Sequence, residues 1–254
     1  MYDLTGKKAF VPGGYGGIGE AVCRALAEAG AAVTIAGRSA TKAQELANRM
    51  GSEGHTALAL ALDAQDTKQI RATVDEAAQL MGGVDLLVNC IGMNREQKIA
   101  EVTEETFDEI YRANLRAAMF LGQAVARHQV AAKRGGKQVH MLSVRSMLGM
   151  RGFGYSAYCA TKGALVMLVK QHAMELAPHN ITVNGVAPTV VLTEAAEKWR
   201  SDEARWKALL DRIPLGRVAQ ARDVAGAALF FCSPASDFVT GQTLYVDGGI
   251  TASQ

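Results

Sequence analysis

The sequence predicts an α/β fold: a doubly wound parallel sheet of about seven strands, helices on both faces, in a single domain. Three observations predict it. Short apolar runs recur along the chain, each followed by a longer stretch with apolar residues at helical spacing. The first run opens into a glycine-rich turn and then a helical pattern. No linker, repeat or low-complexity segment divides the 254 residues.

Lys8–Val11 is the first run, and it ends in Pro12-Gly13-Gly14-Tyr15-Gly16-Gly17-Ile18-Gly19. Glycines permit a tight turn and close backbone approach to a ligand. The helix that follows, with Ile18, Val22 and Leu26 on one face, offers unpaired N–H groups to an anion. Strand, glycine turn and helix together make a dinucleotide-phosphate site of the Rossmann type, although Gly13, Gly17 and Gly19 are spaced Gly-x-x-x-Gly-x-Gly rather than Gly-x-Gly-x-x-Gly.

Ala32–Ala36 is the second strand, ending at Gly37-Arg38-Ser39. An acid there would accept from a ribose 2′-hydroxyl; Arg38 instead suits a 2′-phosphate, which favours NADP over NAD. A helix over about 41–50 leads to the third strand, Thr56–Leu62, closed by Asp63-Ala64. A helix over about 67–81 leads to the fourth, Val84–Val88, closed by Asn89-Cys90-Ile91-Gly92. Ligands of such sheets sit at these carboxyl ends. A long helix is expected over 104–132, with Asn114 inside it. Asparagine competes for backbone hydrogen bonds, so Asn114 marks a bend, a functional site or a tolerated polar residue.

The fifth strand, Lys137–Leu142, is followed by Ser143-Val-Arg-Ser146. The next helix carries Tyr158 and Lys162 and stops at Pro178. Ile181–Ala187 is the sixth strand and leads to Pro188 through Thr193. Residues 190–215, with Trp199 and Trp206 inside 194–212, read as a helical segment over the substrate. A helix over 223–232 and a last strand over 243–247 complete the chain.

Charged residues make up 20% and the net charge is +2, which offers no basic surface for nucleic acid. No apolar run is long enough to span a bilayer, and no signal peptide opens the chain, so a cytoplasmic protein is expected. Cys23, Cys90, Cys159 and Cys232 are scattered without metal or disulfide spacing and read as small apolar residues.

Tyr158 and Lys162 stand four residues apart, on one helical face. A cation there favours the phenolate and lowers the tyrosine pKa, making a proton donor and acceptor near neutral pH. Taken alone, the pair is a weak signal, and a surface tyrosine beside a solvated lysine is the plainer reading.

Together the motifs resemble the short-chain dehydrogenase/reductase family. The resemblance runs from Gly6 to Gly249 and includes the glycine turn, Asp63-Ala64, Asn89-Cys90-Ile91-Gly92, Asn114, Tyr158-x-x-x-Lys162 and the tail Pro214-Leu-Gly-Arg217, Asp223, Val246-Asp247-Gly248-Gly249. It implies hydride transfer between NADP(H) and a ketone or secondary alcohol, with NAD as the alternative cofactor. It also implies that Tyr158 moves the proton, that Lys162 lowers its pKa and that Asn114 holds a relay water. Gly13, Tyr15, Gly16, Gly17, Ile18, Gly19, Arg38, Asp63, Ala64, Asn89, Ile91, Gly92, Pro188, Val191 and Thr193 are then expected along the cofactor, with Tyr158 and Lys162.

Departures from the family are Pro12 for Thr, Thr189 for Gly, and Gly16 where a basic residue can stand. The carbonyl-positioning serine is Ser143 counted from the strand, while counting back from Tyr158 falls on Arg145; Ser146 is the alternative. The similar proteins in view are 3-oxoacyl-carrier-protein reductases and sugar or polyol dehydrogenases, NAD-dependent ones included. A homotetramer without nucleic-acid or membrane partners is implied, and a catalytically silent cofactor-binding scaffold is the alternative of another class.

Overall fold

The computed structural model describes residues 1–193 and 202–252. Strands β1 (Lys8–Pro12), β2 (Ala32–Gly37), β3 (Ala57–Ala61), β4 (Leu86–Asn89), β5 (Gly136–Met141) and β6 (Ile181–Pro188) are introduced in chain order. The short β7 (Val191–Leu192) and β8 (Ala219–Gln220) pair with each other, and β9 (Thr243–Val246) is last. The main sheet has seven strands in the order β3-β2-β1-β4-β5-β6-β9, and every pairing is parallel.

Parallel strands must bury both faces, and the side-chain alternation shows how this chain does so. Ala9 and Val11 point to one face and Phe10 to the other; Leu86 and Val88 share the first face and Leu87 the second. Helices α1 (Gly17–Glu28) and α2 (Ala40–Ser52), with the helix Ala221–Cys232, cover the first face through Val22, Leu26, Leu46, Val224 and Phe231. On the second face, Ile70 and Val74 of α3 (Thr67–Met81) and Leu121 and Val125 of α5 (Ala117–Ala132) pack beside Leu165 and Val169 of α6 (Ser156–Leu176). Burying Phe10 completely contributes about 1.5–3 kcal/mol by area alone.

The predicted long helix is interrupted. Helix α4 (Glu104–Tyr111) runs through a π-helical stretch, Arg112–Arg116, into α5, and Asn114 lies in that stretch. Strand β4 begins two residues later than the sequence predicts and extends to Asn89, because Asn89 pairs with His140 of β5. In the expected cover, a helix spans Glu203–Leu210. Residues 194–201, including Trp199, lie outside the described residues.

The tail motif is structural. Asp223 accepts from both terminal nitrogens of Arg217, at 2.6 and 3.2 Å, and caps the Gln220 N–H at 2.8 Å. Asp247 likewise accepts from Gly249 N and Thr251 N, fixing the turn after β9.

The strand order reverses between β1 and β4. The crevice opened there, at the carboxyl ends, is where such sheets take ligands.

Candidate active site

The glycine turn sits in this crevice because nothing larger fits. A Cβ on Gly19 would lie 2.1 Å from the Gly13 carbonyl oxygen, and one on Gly13 would lie 2.9 Å from the Cys90 carbonyl carbon. Gly13 also has φ +78°, a conformation that side chains disfavour. A Cβ on Gly17 would meet the Thr193 methyl at 2.7 Å, so Thr193 rests on the turn. Helices α2 and α3 are capped by Ser39 and Asp66 side chains, but α1 begins at Gly16 with no side-chain cap. Its first N–H groups therefore face the crevice, and Gly16 and Gly17 are exposed there.

A cleft of about 310 Å³ runs along the turn, lined among others by Gly13, Tyr15, Gly16, Arg38, Asp63, Ala64, Ile91 and Gly92. The Tyr15 hydroxyl accepts from Ser39 N at 2.9 Å and holds the ring against Gly37, beside Arg38. Other expected cofactor residues lie off this cleft. Asn89 is buried, bonding Ile91 N at 3.1 Å and the His140 ring at 3.4 Å, so it shapes the strand end. Ile18 packs against the core, Pro188 ends β6, and Val191 pairs with Ala219.

Asn114 explains its place in the π-helical stretch. Its Oδ1 accepts from Met93 N at 2.8 Å, while Nδ2 donates to Met93 O at 2.9 Å and Thr161 Oγ1 at 3.1 Å. The amide thus ties the loop after β4 to α6. Beside Gly92, Lys162 Nζ and Asn114 Oδ1 converge: a Cβ on Gly92 would lie 3.2 and 3.8 Å from them.

Lys162 is buried and donates to Met141 O at 2.7 Å. Burial pulls its ammonium down to about 8. Its nitrogen stands 5.7 Å from the Tyr158 ring centre. The expected lowering of the Tyr158 pKa by Lys162 does not appear here. Burial raises the phenol above its ordinary value, and the groups that oppose this are a hydrogen bond from Ser143 and the charge of Arg145. The physical reason is orientation: the ammonium points to the β5 carbonyl, not to the phenol oxygen.

Ser143 and Ser146 part company. Ser143, at the end of β5, lines the same cavity as Tyr158, and its Oγ accepts from Arg145 N at 3.1 Å. Ser146 faces the Tyr245 hydroxyl at 3.4 Å instead. Ser143 and Tyr158 line a second cavity, of about 190 Å³, with Asn94, Arg145, Tyr155 and Thr189. The two cavities adjoin through the consecutive residues Met93 and Asn94. Arg145 stands where the count back from Tyr158 expects a serine, and Asn94 and Gln65 carry no sequence signal. Cys159 is free, and burial raises its thiol pKa, which works against thiolate chemistry. Among the described residues no His/Cys/Asp/Glu group could hold a metal ion, and no helix is long and apolar enough to cross a membrane.

A dinucleotide cleft opening beside a Ser143–Tyr158–Lys162 set defines the class: a Rossmann-type oxidoreductase. Comparison with known proteins gives the family. A family model described as enoyl-(acyl carrier protein) reductase matches residues 13–251. Gluconate 5-dehydrogenase of Gluconobacter oxydans is 37% identical over 253 residues, covering 100% of this chain and 98% of that protein. L-xylulose reductase of Mesocricetus auratus is 40% identical over 246 residues, covering 97% of each. Among solved structures, a gluconate 5-dehydrogenase from Burkholderia cenocepacia in complex with NADP and tartrate superposes with a TM-score of 0.95 at 39% identity, covering 100% of this chain and 98% of that one. A short-chain type dehydrogenase/reductase from Mycobacterium marinum gives 0.94 at 34% identity, covering 99% and 98%. The chain belongs to the short-chain dehydrogenase/reductase family.

Proposed function

We propose that this protein interconverts a secondary alcohol and a ketone on a sugar acid or polyol, using NADP(H). The observation that carries the reading is that Ser143 and Tyr158 line one cavity, which adjoins the glycine-turn cleft. The glycine turn suits a pyrophosphate, since its Cβ-free backbone packs tightly at Gly13 and Gly19 and leaves the uncapped start of α1 exposed at Gly16 and Gly17. Arg38 lines the same cleft and suits a 2′-phosphate, as the NADP bound in the Burkholderia relative supports. Gly13, Tyr15, Gly16, Gly17, Asp63, Ala64, Ile91, Gly92 and Thr193 hold the rest of the nucleotide.

NADPH, when bound, supplies the hydride. The chain's residues do the remaining work. Ser143 donates to the carbonyl oxygen and orients it. The Tyr158 hydroxyl, whose protonated form burial favours, gives its proton to the developing alkoxide. In the oxidative direction the phenolate takes the alcohol proton. Lys162 Nζ supplies a ribose contact, and the free lone pair of Asn114 Oδ1 holds a water that refills Tyr158 through Lys162. Residues 190–215 cover the substrate.

Large apolar side chains are exposed on α4 and α5 (Phe107, Tyr111, Met119), on α6 (Met167, Met174) and near β9 (Phe238, Leu244). They support self-association through two faces to a homotetramer, which sedimentation tests.

The functional test is NADPH oxidation, followed by absorbance, with a panel of keto sugar acids and ketoses and with NADH in parallel. Turnover with NADPH at least about tenfold better in kcat/KM than with NADH is expected. Intact NADPH binding without turnover of any ketone would favour a scaffold. A preference for NADH would remove the role of Arg38.

A further inference from the structure

The reaction proposed above uses Ser143 and Tyr158 but leaves a charged group of the same cavity unused, Arg145. Its guanidinium is partly buried, and Nη1 donates to Leu148 O at 3.3 Å and Gly149 O at 2.7 Å, which fixes the plane of the fork. Nε and Nη2 have no hydrogen-bond partner, and no carboxylate pairs with this arginine, among the described residues. Its electrostatic neighbours are Cys159, Tyr155, Tyr158 and a second cation, Arg212. A half-buried cation without a counter-ion carries a desolvation cost that an anionic ligand can offset.

We infer that Arg145 anchors a carboxylate of the substrate, so that the cavity selects hydroxy and keto acids over neutral polyols and ketoses. The Nε–Nη2 edge of a fixed guanidinium offers two parallel N–H groups, the spacing of the two oxygens of a carboxylate. Arg145 stands two residues beyond Ser143, so the acid group docks close to the carbonyl that Ser143 and Tyr158 engage. The cavity of about 190 Å³ has room for a small hydroxy acid, and among the described residues no carboxylate lines it to repel one. This inference rests on the oxidoreductase reading, and it chooses between the two kinds of relative, which handle gluconate or L-xylulose by name.

The test compares wild type with Arg145→Gln and Arg145→Lys on 5-keto-D-gluconate and L-xylulose, each with NADPH. Gluconate is also titrated calorimetrically into each protein–NADPH complex. Arg145→Gln is expected to lower kcat/KM for the keto acid roughly 10- to 100-fold, mainly through KM. That loss exceeds the loss on L-xylulose by at least about tenfold, and Arg145→Lys recovers part of it. Equal losses on both substrates, or a wild-type preference for L-xylulose, overturn the inference. The two readings fail separately. Gluconate binding that Arg145→Gln abolishes, without turnover of any ketone, keeps the anchor and removes the oxidoreductase reading. Turnover of neutral ketoses alone does the reverse.

Discussion

The glycine-turn cleft and the cavity beside Tyr158 adjoin, yet they are built from different parts of the residue. The phosphate end of the cleft is made of backbone: N–H groups at an uncapped helix start, and a turn at Gly13, Gly17 and Gly19 too tight for any Cβ, with the Tyr15 and Arg38 side chains further along. The cavity is made of side chains carried on the loop after β5 and the start of α6: Ser143, Arg145, Tyr155 and Tyr158. A backbone site tolerates few sequences and serves one shared ligand. A side-chain site changes with single substitutions and can serve many. The difference teaches why proteins so alike overall carry names for different substrates.

The predictions probe that division. Tyr158→Phe should cost the most, about a thousandfold in turnover, because the proton donor is lost while the cleft is untouched. Rapid-mix measurement of NADPH oxidation reads it, and a loss under tenfold would place proton transfer elsewhere. Next comes the serine pair. Ser143→Ala is expected to lower kcat about 100-fold with NADPH binding intact, whereas Ser146→Ala, which loses only a contact to Tyr245, stays within about threefold. Similar small losses in both variants would break the assignment.

The smallest effect is on stability. Lys162 has a folded pKa of about 8 against an ordinary 10.5, so its contribution is fully present above 10.5 and is lost as pH falls toward 8. At pH 7 the buried ammonium is therefore a cost. Lys162→Met should raise Tm there by about 2–4 °C, corresponding to about 1 kcal/mol once the freed Met141 carbonyl is counted, with the gap closing as pH approaches 10.5. Thermal melts across pH check this; a gap that stays constant would show that the charge is not its origin.

The same division decides what could be read from the residues in advance. The glycine turn was legible because its physics forbids side chains at fixed spacing. The parallel sheet was legible because strands buried on both faces are apolar throughout. Asn114 was legible only as an anomaly, since its partners, Met93 and Thr161, are distant in sequence. The choice between Ser143 and Ser146 stayed open because loop lengths shift while strand registers hold, and only the fold brings Ser143 to Tyr158. Helical spacing puts Lys162 on the same face as Tyr158 but does not say which acceptor its nitrogen takes, and the fold gives it the Met141 carbonyl. Arg145 was invisible because its value lies in lacking a partner, which is a property of its surroundings.

The most direct test of the division is an NADPH titration by calorimetry into two variants, one from each region. An added methyl at Gly19 would lie 2.1 Å from the Gly13 carbonyl oxygen, so Gly19→Ala distorts the turn and should weaken NADPH binding roughly 10- to 100-fold. Tyr158→Phe should bind NADPH within about threefold of wild type. Wild-type affinity in Gly19→Ala, or an equal loss in Tyr158→Phe, would contradict a backbone-built cofactor site standing apart from a side-chain-built reaction site.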